Sequence, residues 1–365
     1  MPIVFDVANV SPQNVAVSPR VLSELMALLH VHAESGHHRD RIRELRRISD
    51  LVPGSLAGQL RLYAPLWARF RFRALMPLST TIEGGADSFE AELHEYLSLP
   101  EDVFVAMAAE GIAGVRLPKE KSPEFDEAAF VEFCRTRSEE REDLAVRLLR
   151  DPILFQQNVG KTLVQAYSAF FGQIWASSHE LLTSDAARMQ SLIQPGSIAE
   201  VLASLAHDSH LFGKRQQVVF DKIQSAVVSG DGRKFVLVPS MWTSPHVVVK
   251  YDESYADQSV PVVVQYLAGE SGRDAPSLGI VTNRMLVLAD GPRLQLSRHL
   301  VNESCTTSEL AQRTGMTTPQ VSRHLRRLKD VGLIVSQRDG RMIKHRLRSD
   351  LVYQLGHEYL NALTR

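Results

Sequence analysis

Cysteine is scarce in this sequence, and long apolar runs are missing. The 365 residues include two cysteines, Cys134 and Cys305, and a pair so far apart can neither form a disulfide framework nor supply the ligands of a zinc or iron–sulfur centre unaided. No stretch approaches the roughly 18 to 20 apolar residues that a membrane span requires, and the amino-terminal residues lack a basic region followed by an apolar run. We therefore expect a cytoplasmic protein with no membrane partner.

Recognised catalytic signatures are also missing. The sequence has no Gly-x-Ser-x-Gly elbow, no His-Glu-x-x-His pair and no dinucleotide-binding glycine fingerprint. Gly160-Lys161-Thr162 resembles the end of a phosphate-binding loop, but Phe155 stands where that motif needs a glycine. We therefore expect a protein that is not an enzyme and that needs no cofactor.

The near-neutral total charge conceals an uneven distribution. Hydrophobic residues make up 44% and charged residues 23% of the chain, which is typical of a globular protein with two or three domains. The formal charge of -1 divides into +7 for residues 291–365, with 13 basic and 6 acidic side chains, and -8 for residues 1–290. A basic tail on an acidic body indicates a polyanionic partner.

The first three quarters of the chain combine helical segments with a few strands. Ser18-Pro19 suits the start of a helix that continues to Val31. Apolar periodicity and helix-breaking residues predict further helices at 40–51, 59–73, 88–98, 101–109 and 197–206, and two long helices over 127–193 with one break at Asp151-Pro152. After residue 215, short β-branched or aromatic runs bounded by turn residues predict a small sheet from segments 218–220, 235–238, 247–249 and 262–264.

Residues 306–331 contain the capping and helix-breaking residues typical of two short helices joined by a tight turn. Thr307 can cap the first helix, and Gly315 can end it in a left-handed conformation. The second helix begins near Thr318-Pro319. Its apolar stripe consists of Val321, Leu325 and Leu328, and its polar faces carry Gln320, Arg323, Arg326 and Arg327. One side of this helix packs and another side is basic.

The residues after that helix predict a two-stranded hairpin. Gly332 can stop the helix, and residues 333–347 follow as two strands around Asp339-Gly340, a pair that suits a two-residue primed turn. Arg338 and Arg341 flank this tip. A hairpin after a basic second helix is typical of a winged helix-turn-helix, in which the helix fits the ~12 Å major groove and the wing reaches phosphates or the minor groove.

These observations predict an α+β protein that is mainly helical. The segment 269–276 has no apolar pattern and is typical of a linker. We expect a body over residues 1–275, helical with a small antiparallel sheet, and a winged helix-turn-helix domain over residues 276–365.

The winged segment resembles the arsenic-repressor (ArsR) family of transcription regulators. The motifs that carry the resemblance are Leu288-Ala289-Asp290, Pro292-Arg293-Leu294, Ser322-Arg323-His324-Leu325 with Leu328, Gly332-Leu333-Ile334 and Arg338-Asp339-Gly340-Arg341. The similarity covers about residues 278–363. It implies that segments 278–288 and 350–363 are helices that build a twofold dimer.

The resemblance implies a homodimeric repressor that binds double-stranded DNA at an inverted-repeat operator. Geometry and resemblance together predict base-edge or adjacent phosphate contacts by Thr318, Gln320, Ser322 and Arg323, and contacts with the backbone or minor groove by Arg326, Arg327, Arg338 and Arg341. Two alternatives stay open for the body. It can bind a small-molecule effector that changes the spacing of the two recognition helices, or it can be an enzyme domain that the tail localises.

The sequence departs from the family's metal-sensing patterns. Cys305 has no neighbouring cysteine, and the last helix offers Asp350, His357 and Glu358 without a second histidine. His207 and His210 are spaced to share a metal ion, although ordinary surface histidines are the more frequent explanation of such a pair. We therefore expect no metal site.

Overall fold

The computed structural model divides the chain into two compact units, Met1–Arg273 and Asp274–Arg365. We call the first the body and the second the winged domain, and we describe each by itself. The structure describes residues 2–38, 41–80, 88–205, 209–212, 216–221, 226–244, 247–251, 260–269, 278–301, 303–339, 342–349, 351–352, 355–356 and 358–359. The expected linker over 269–276 lies outside these residues except for Gly269.

Eleven α-helices are described in the body. They are α1 (Val21–Ala33), α2 (Ile42–Leu51), α3 (Gly54–Leu62), α4 (Ala64–Trp67), α5 (Phe89–Leu97), α6 (Glu101–Ala113), α7 (Glu127–Arg135), α8 (Glu139–Arg150), α9 (Pro152–Ala166), α10 (Gly172–Leu192) and α11 (Ile198–Ala203). A π-helical turn, Tyr167–Phe171, joins α9 to α10. Four of the helices begin at a side chain that accepts a backbone N–H, namely Ser88, Asp126, Ser138 and Asp151.

Three sequence expectations about these helices need correction. One helix was expected over 59–73, but α3 ends at Leu62, α4 covers Ala64–Trp67, and residues 68–72 are not helical. Two long helices were expected over 127–193, but the structure has a further break before α8, because the Ser138 hydroxyl caps a new helix there. Helix α1 has no cap from Ser18. The Glu92 carboxylate of α5 instead accepts the Val21 and Leu22 amides at 3.0 and 2.8 Å. Because the capping residue lies 70 residues away in the sequence, no local pattern indicates it.

The strands of the body form two four-stranded sheets. The strands are β1 (Pro2–Asp6), β2 (Val15–Val17), β3 (Ser209–Phe212), β4 (Gln217–Asp221), β5 (Ala226–Ser229), β6 (Phe235–Ser240), β7 (Val248–Lys250) and β8 (Val262–Leu267). Their orders are β3-β4-β1-β5 and β2-β6-β8-β7. The pairs β1–β5, β2–β6 and β6–β8 are parallel, and the other neighbours are antiparallel.

The single small antiparallel sheet expected from the sequence is therefore corrected to two mixed sheets. Strand β6 is buried along its whole length and β8 along all but its last residue, as is usual for parallel strands covered on both faces. Their apolar runs show no alternation from which strand direction could be inferred. The amino-terminal strands β1 and β2 pair with segments more than 200 residues away, and such pairing is invisible in a local pattern.

Two main clusters of apolar side chains hold the body together. One lies among the helices and includes Trp67, Phe104 and Phe171. The other joins both sheets to α11 and the end of α10, and it includes Phe5, Phe220 and Leu237. Among the described residues, no helix combines the length and apolar character needed to cross a bilayer.

The winged domain is built from four described helices and a three-stranded sheet. The elements are α12 (Leu278–Leu288), α13 (Gly291–Leu300), β9 (Cys305–Thr306), α14 (Thr307–Thr314), α15 (Thr318–Asp330), β10 (Ile334–Asp339) and β11 (Met342–Leu347). The strand order is β10-β11-β9. The core contains Val281, Leu296, Leu310, Leu328 and Leu333. The expected fold class, mainly helical α+β with a carboxyl-terminal winged helix-turn-helix, is confirmed.

A buried carboxyl group joins α1 to the end of β6. The Glu24 side chain has no exposed surface, and its Oε1 accepts the Met241 N–H at 2.7 Å. Burial raises the pKa of Glu24 to about 7, against the effect of hydrogen bonds from Ser240 and Met241 and the positive charge of Arg41. The folded body therefore keeps a proton that the unfolded chain releases above pH 4.5.

We predict that Glu24→Gln weakens the pH dependence of the body's stability. A raised folded-state pKa gives stability that is complete below pH 4.5 and is lost as the pH rises to about 7. The loss is about 3 kcal/mol at most, and the neutral amide removes it. Urea unfolding between pH 4.5 and 8, followed by tryptophan fluorescence, reports on the body because Trp67, Trp175 and Trp242 all lie in it. The exposed Glu180→Gln is the matched control, and parallel pH profiles for wild type and Glu24→Gln would contradict the prediction.

Candidate nucleic-acid interface

The helix-turn-helix is defined by reciprocal caps and by two glycines. Thr306, rather than the expected Thr307, caps α14, because its hydroxyl accepts the Glu309 N–H while the Glu309 carboxylate accepts the Thr306 N–H. Gly315 ends α14 with a φ of 70°, as expected. Thr317 and Gln320 form a second capping box at the start of α15, and Gly332 follows α15 with a φ of 77°. Non-glycine residues rarely adopt this backbone conformation.

Helix α15 is fixed by the apolar stripe that the sequence predicts. Val321, Leu325 and Leu328 are buried in the core of the winged domain. At 100° per residue, Arg323 and Arg327 lie on the side of the helix opposite this stripe. Ser322, Arg326 and Lys329 follow the i, i+4, i+7 spacing along a third face. The stripe therefore fixes the direction in which two polar faces point.

Seven of the eight residues predicted to contact DNA are described, and all seven are exposed. They are Thr318, Gln320, Ser322, Arg323, Arg326, Arg327 and Arg338. Gln320 differs from the others because its Oε1 accepts the Thr317 N–H and hydroxyl at 2.8 and 2.9 Å. The side-chain NH₂ group of Gln320 can therefore donate to another partner, while its oxygen is engaged in the cap. Arg341 lies outside the described residues.

The wing is an antiparallel hairpin whose register is fixed at its base. Ile334 pairs with Leu347, and both side chains are buried. Pairing then continues to Asp339 and Met342. Asp339, which was expected in the turn, is therefore the last residue of β10. Gly340, like Arg341, lies outside the described residues.

A groove of about 970 Å³ lies between α15 and the wing. Ser322, Arg326 and Lys329 line it from the helix, Arg338 and Ile343 line it from the wing, and His345 also contributes to it. Sequence reasoning missed Lys329 and His345. The heptad spacing of Ser322 and Lys329 was a usable signal for the lysine. The position of His345 depends on the hairpin register, which residues Ile334 and Leu347 fix through burial.

His345 connects the wing to the start of α14. Its Nδ1 lies 2.9 Å from the Ser336 hydroxyl and its Nε2 lies 3.3 Å from the Thr307 hydroxyl. Burial, followed by the positive charge of Lys329, lowers the pKa of His345. The ring is therefore neutral at neutral pH, and each nitrogen has a hydroxyl group as its neighbour.

Helix α12 presents an uncharged face as well as a buried one. Val281 packs in the core, and Arg284 links α12 to the rest of the domain by bonds to the Val331 carbonyl at 3.2 Å and to Glu358 at 3.1 Å. The intermediate or exposed face contains Leu278, Gly279, Thr282, Met285, Leu286 and Ala289. Of the segment 350–363 expected to be helical, residues 351–352, 355–356 and 358–359 are described and are helical.

The remaining candidate sites contain no metal-binding cluster within the described ranges. No group of three His, Cys, Asp or Glu side chains there is placed to hold a metal ion. Cys305 is buried beside Arg313, and burial raises the pKa of its thiol. Burial likewise raises the pKa of Cys134 to about 12. His207, Asp350 and His357, together with the side chain of His210, lie outside the described residues.

Two family models match the chain, one for each unit. Residues 1–272 match a family of unknown function, DUF5937. Residues 290–336 match the model described as bacterial regulatory protein, arsR family, which confirms the resemblance inferred from the sequence.

Two curated relatives from Mycobacterium tuberculosis match the winged domain. The HTH-type transcriptional regulator KmtR is 36% identical over 76 residues, a match that covers 21% of this chain and 58% of KmtR, less than two thirds of its length. The HTH-type transcriptional regulator NmtR is 34% identical over 94 residues, covering 24% of this chain and 78% of NmtR.

Solved structures match a similar share of the chain. An ArsR-like transcriptional regulator from Rhodococcus sp. RHA1 is 23% identical with a TM-score of 0.21, covering 21% of this chain and 74% of that one. The homodimeric winged helix-turn-helix DNA-binding domain Mb0332 from Mycobacterium bovis is 31% identical with a TM-score of 0.21. The match covers 25% of this chain and 84% of that one. NolR from Sinorhizobium fredii is 27% identical with a TM-score of 0.20. The match covers 25% of this chain and 88% of that one.

The body and the winged domain are thus assigned by separate matches that together span most of the chain. The chain belongs to the DUF5937 family, and at residues 290–336 it carries the DNA-binding helix-turn-helix of ArsR-family transcriptional regulators.

Proposed function

We propose that this protein is a dimeric repressor that binds a specific double-stranded DNA sequence and acts by binding rather than by catalysis. The observation that carries the proposal is α15, a helix whose one face is buried while Arg323, Arg326 and Arg327 are exposed beside a wing. The KmtR and NmtR relatives are transcriptional regulators, which supports the same role here. A repressor of this kind occupies its operator and excludes the transcription machinery.

Base recognition is proposed for the amino-terminal half of α15. The major groove, ~12 Å wide, admits a helix with its first turns against the base edges. Thr318, Ser322 and Arg323 are exposed there, and an arginine can donate two hydrogen bonds to guanine. Gln320 contributes through its amide N–H groups, since its oxygen belongs to the cap.

Backbone contacts are proposed for the basic residues farther along α15 and on the wing. These residues are Arg326, Arg327, Arg338 and Arg341. Cations that neutralise phosphates release condensed counterions, so affinity falls steeply as the salt concentration rises. Such contacts place the helix on the duplex without reading its sequence.

We propose that the two compact units have different roles. Residues 276–365 bind DNA, and residues 1–275 form a separate body. The family match to residues 1–272 ends where the first compact unit ends, within a residue, and supports this boundary.

Dimerisation is proposed through the uncharged face of α12. Leu286 is 66% exposed and Met285 is 37% exposed, and no charged side chain interrupts this face between positions 278 and 289. A twofold dimer presents two copies of α15 to successive major grooves about 34 Å apart, so the operator is an inverted repeat.

We predict that Arg323→Ala reduces both affinity and sequence discrimination. The full chain first selects duplexes from a random pool, and fluorescence anisotropy then compares a selected duplex with its shuffled version at several salt concentrations. Loss of a base contact costs about 1 to 3 kcal/mol on the selected duplex and less on the shuffled one. Lys161→Ala, which removes one exposed charge from the body, is the control. Equal wild-type affinity for selected and shuffled duplexes would refute specific recognition.

We predict that Leu286→Glu converts the dimer to a monomer. A carboxylate on an apolar interface loses hydration without gaining a partner, and a monomer engages one half-site instead of two. Sedimentation analysis measures the oligomeric state, and anisotropy on the selected duplex measures the affinity. Leu294→Glu on α13, where the native leucine is 55% exposed, is the matched control. A dimer that persists in Leu286→Glu would place the interface elsewhere.

A further inference from the structure

We propose that the groove between α15 and the wing holds the phosphodiester backbone of the bound DNA, and that His345 takes up a proton when a phosphate group enters. The proposal rests on the DNA-binding function proposed above and extends it to Lys329 and His345, to which that function gives no role. The ligand is a DNA backbone segment. An inorganic phosphate ion shares its chemistry, and adding phosphate at constant ionic strength separates the two.

The groove has the shape and the donors for a run of phosphates. Ser322, Arg326 and Lys329 lie along one wall at i, i+4 and i+7 of α15, and Arg338 stands on the wing. At about 970 Å³ the groove is too open to enclose one small ion, but it accommodates an elongated strand. Hydroxyl, guanidinium and ammonium groups are the side chains that usually contact phosphate oxygens.

The charges around His345 are mostly positive. Arg326 and Lys329 face the groove from α15 and Arg338 faces it from β10, while Asp330 is the acidic residue of its lining. Lys344 precedes His345 on β11 and contributes, after hydrogen bonds from Thr306, to lowering the pKa of Glu309 on α14. Three cations therefore line the groove against one carboxylate, which favours an anionic ligand, and Lys329 disfavours an imidazolium while the groove is empty.

The hydrogen bonds of His345 allow its charge to change without a rearrangement of the wing. The Ser336 and Thr307 hydroxyls lie at the two ring nitrogens, and a hydroxyl group can either donate or accept. A neutral ring donates at one nitrogen and accepts at the other. A protonated ring donates at both. Both states are therefore compatible with the same positions of the wing and α14.

A phosphate in the groove changes the proton affinity of this ring. Without DNA, burial and Lys329 lower the pKa of His345. The negative charge of a phosphate opposes the effect of Lys329 and raises the pKa of His345 in the complex. Because the complex then binds a proton that the free protein lacks, DNA affinity increases as the pH falls through the interval between the two pKa values.

The test measures affinity for the selected duplex by fluorescence anisotropy with the full-length protein between pH 5.5 and 8. We expect wild-type affinity to rise toward low pH with a slope of up to about tenfold per pH unit for each occupied groove. His345→Gln keeps hydrogen-bonding groups but cannot titrate, so it loses this pH dependence. His324→Gln removes the imidazole of α15, whose Nδ1 lies 3.9 Å from an Asp290 carboxylate oxygen, and keeps the pH dependence.

The second variant, Lys329→Gln, changes an exposed side chain and leaves the core intact. We expect the slope of log affinity against log salt to decrease by about one for each groove, with the ratio of selected to shuffled affinity unchanged. The rise in affinity also moves to higher pH, because the ring no longer faces the lysine charge. Lys161→Gln is the matched control and leaves both slopes unchanged.

The outcomes separate this inference from the proposed function. Absence of DNA binding by the wild-type protein would overturn both. DNA binding with an unchanged pH slope in His345→Gln, or an unchanged salt slope in Lys329→Gln, would overturn the inference alone. Binding of inorganic phosphate that needs Lys329 but leaves the DNA affinity unchanged at constant ionic strength would identify a free anion as the ligand of the groove and overturn the assignment to DNA.

Discussion

The burial of three side chains on α15 is the constraint on which the rest of the interface depends. Val321, Leu325 and Leu328 fix the rotation of the helix about its axis, and a helix fixed in this way must present its remaining residues in known directions. Arg323 and Arg327 consequently face away from the core, and Ser322, Arg326 and Lys329 face the wing. The two capping boxes and Gly315 define where the two helices end and begin.

The wing depends on the same core through its own register. Ile334 and Leu347 are buried as a cross-strand pair, and side chains alternate between faces along each strand. Ser336 with His345 and Arg338 with Ile343 therefore lie on the face that includes the buried pair. This register brings an imidazole between a serine of the wing and the first residue of α14. The lining of the groove is thus determined by the rotation of α15 together with the register of β10 and β11.

The body is held by contacts between residues far apart in the chain. Glu92 caps α1 from α5, Glu24 accepts an N–H from the end of β6, and the amino-terminal strands pair with segments beyond residue 216. Sequence reasoning found most helices and the strands β4, β6, β7 and β8, but it did not find β1, β2, β3 or β5. Their pairing partners, rather than a local pattern, supply the evidence that they are strands.

The sequence by itself determined the winged helix-turn-helix, because its signals are local: an apolar stripe at helical spacing, caps, two glycines and alternating strands within about 40 residues. It also predicted that the basic side chains of α15 are exposed. Only the tertiary structure decided which of them share the groove with the wing, that Gln320 is engaged in a cap, and that His345 lies beside Lys329. It also decided that the body contains two mixed sheets. These features depend on which distant segments pack together, and packing partners are selected by the whole fold rather than by any local pattern.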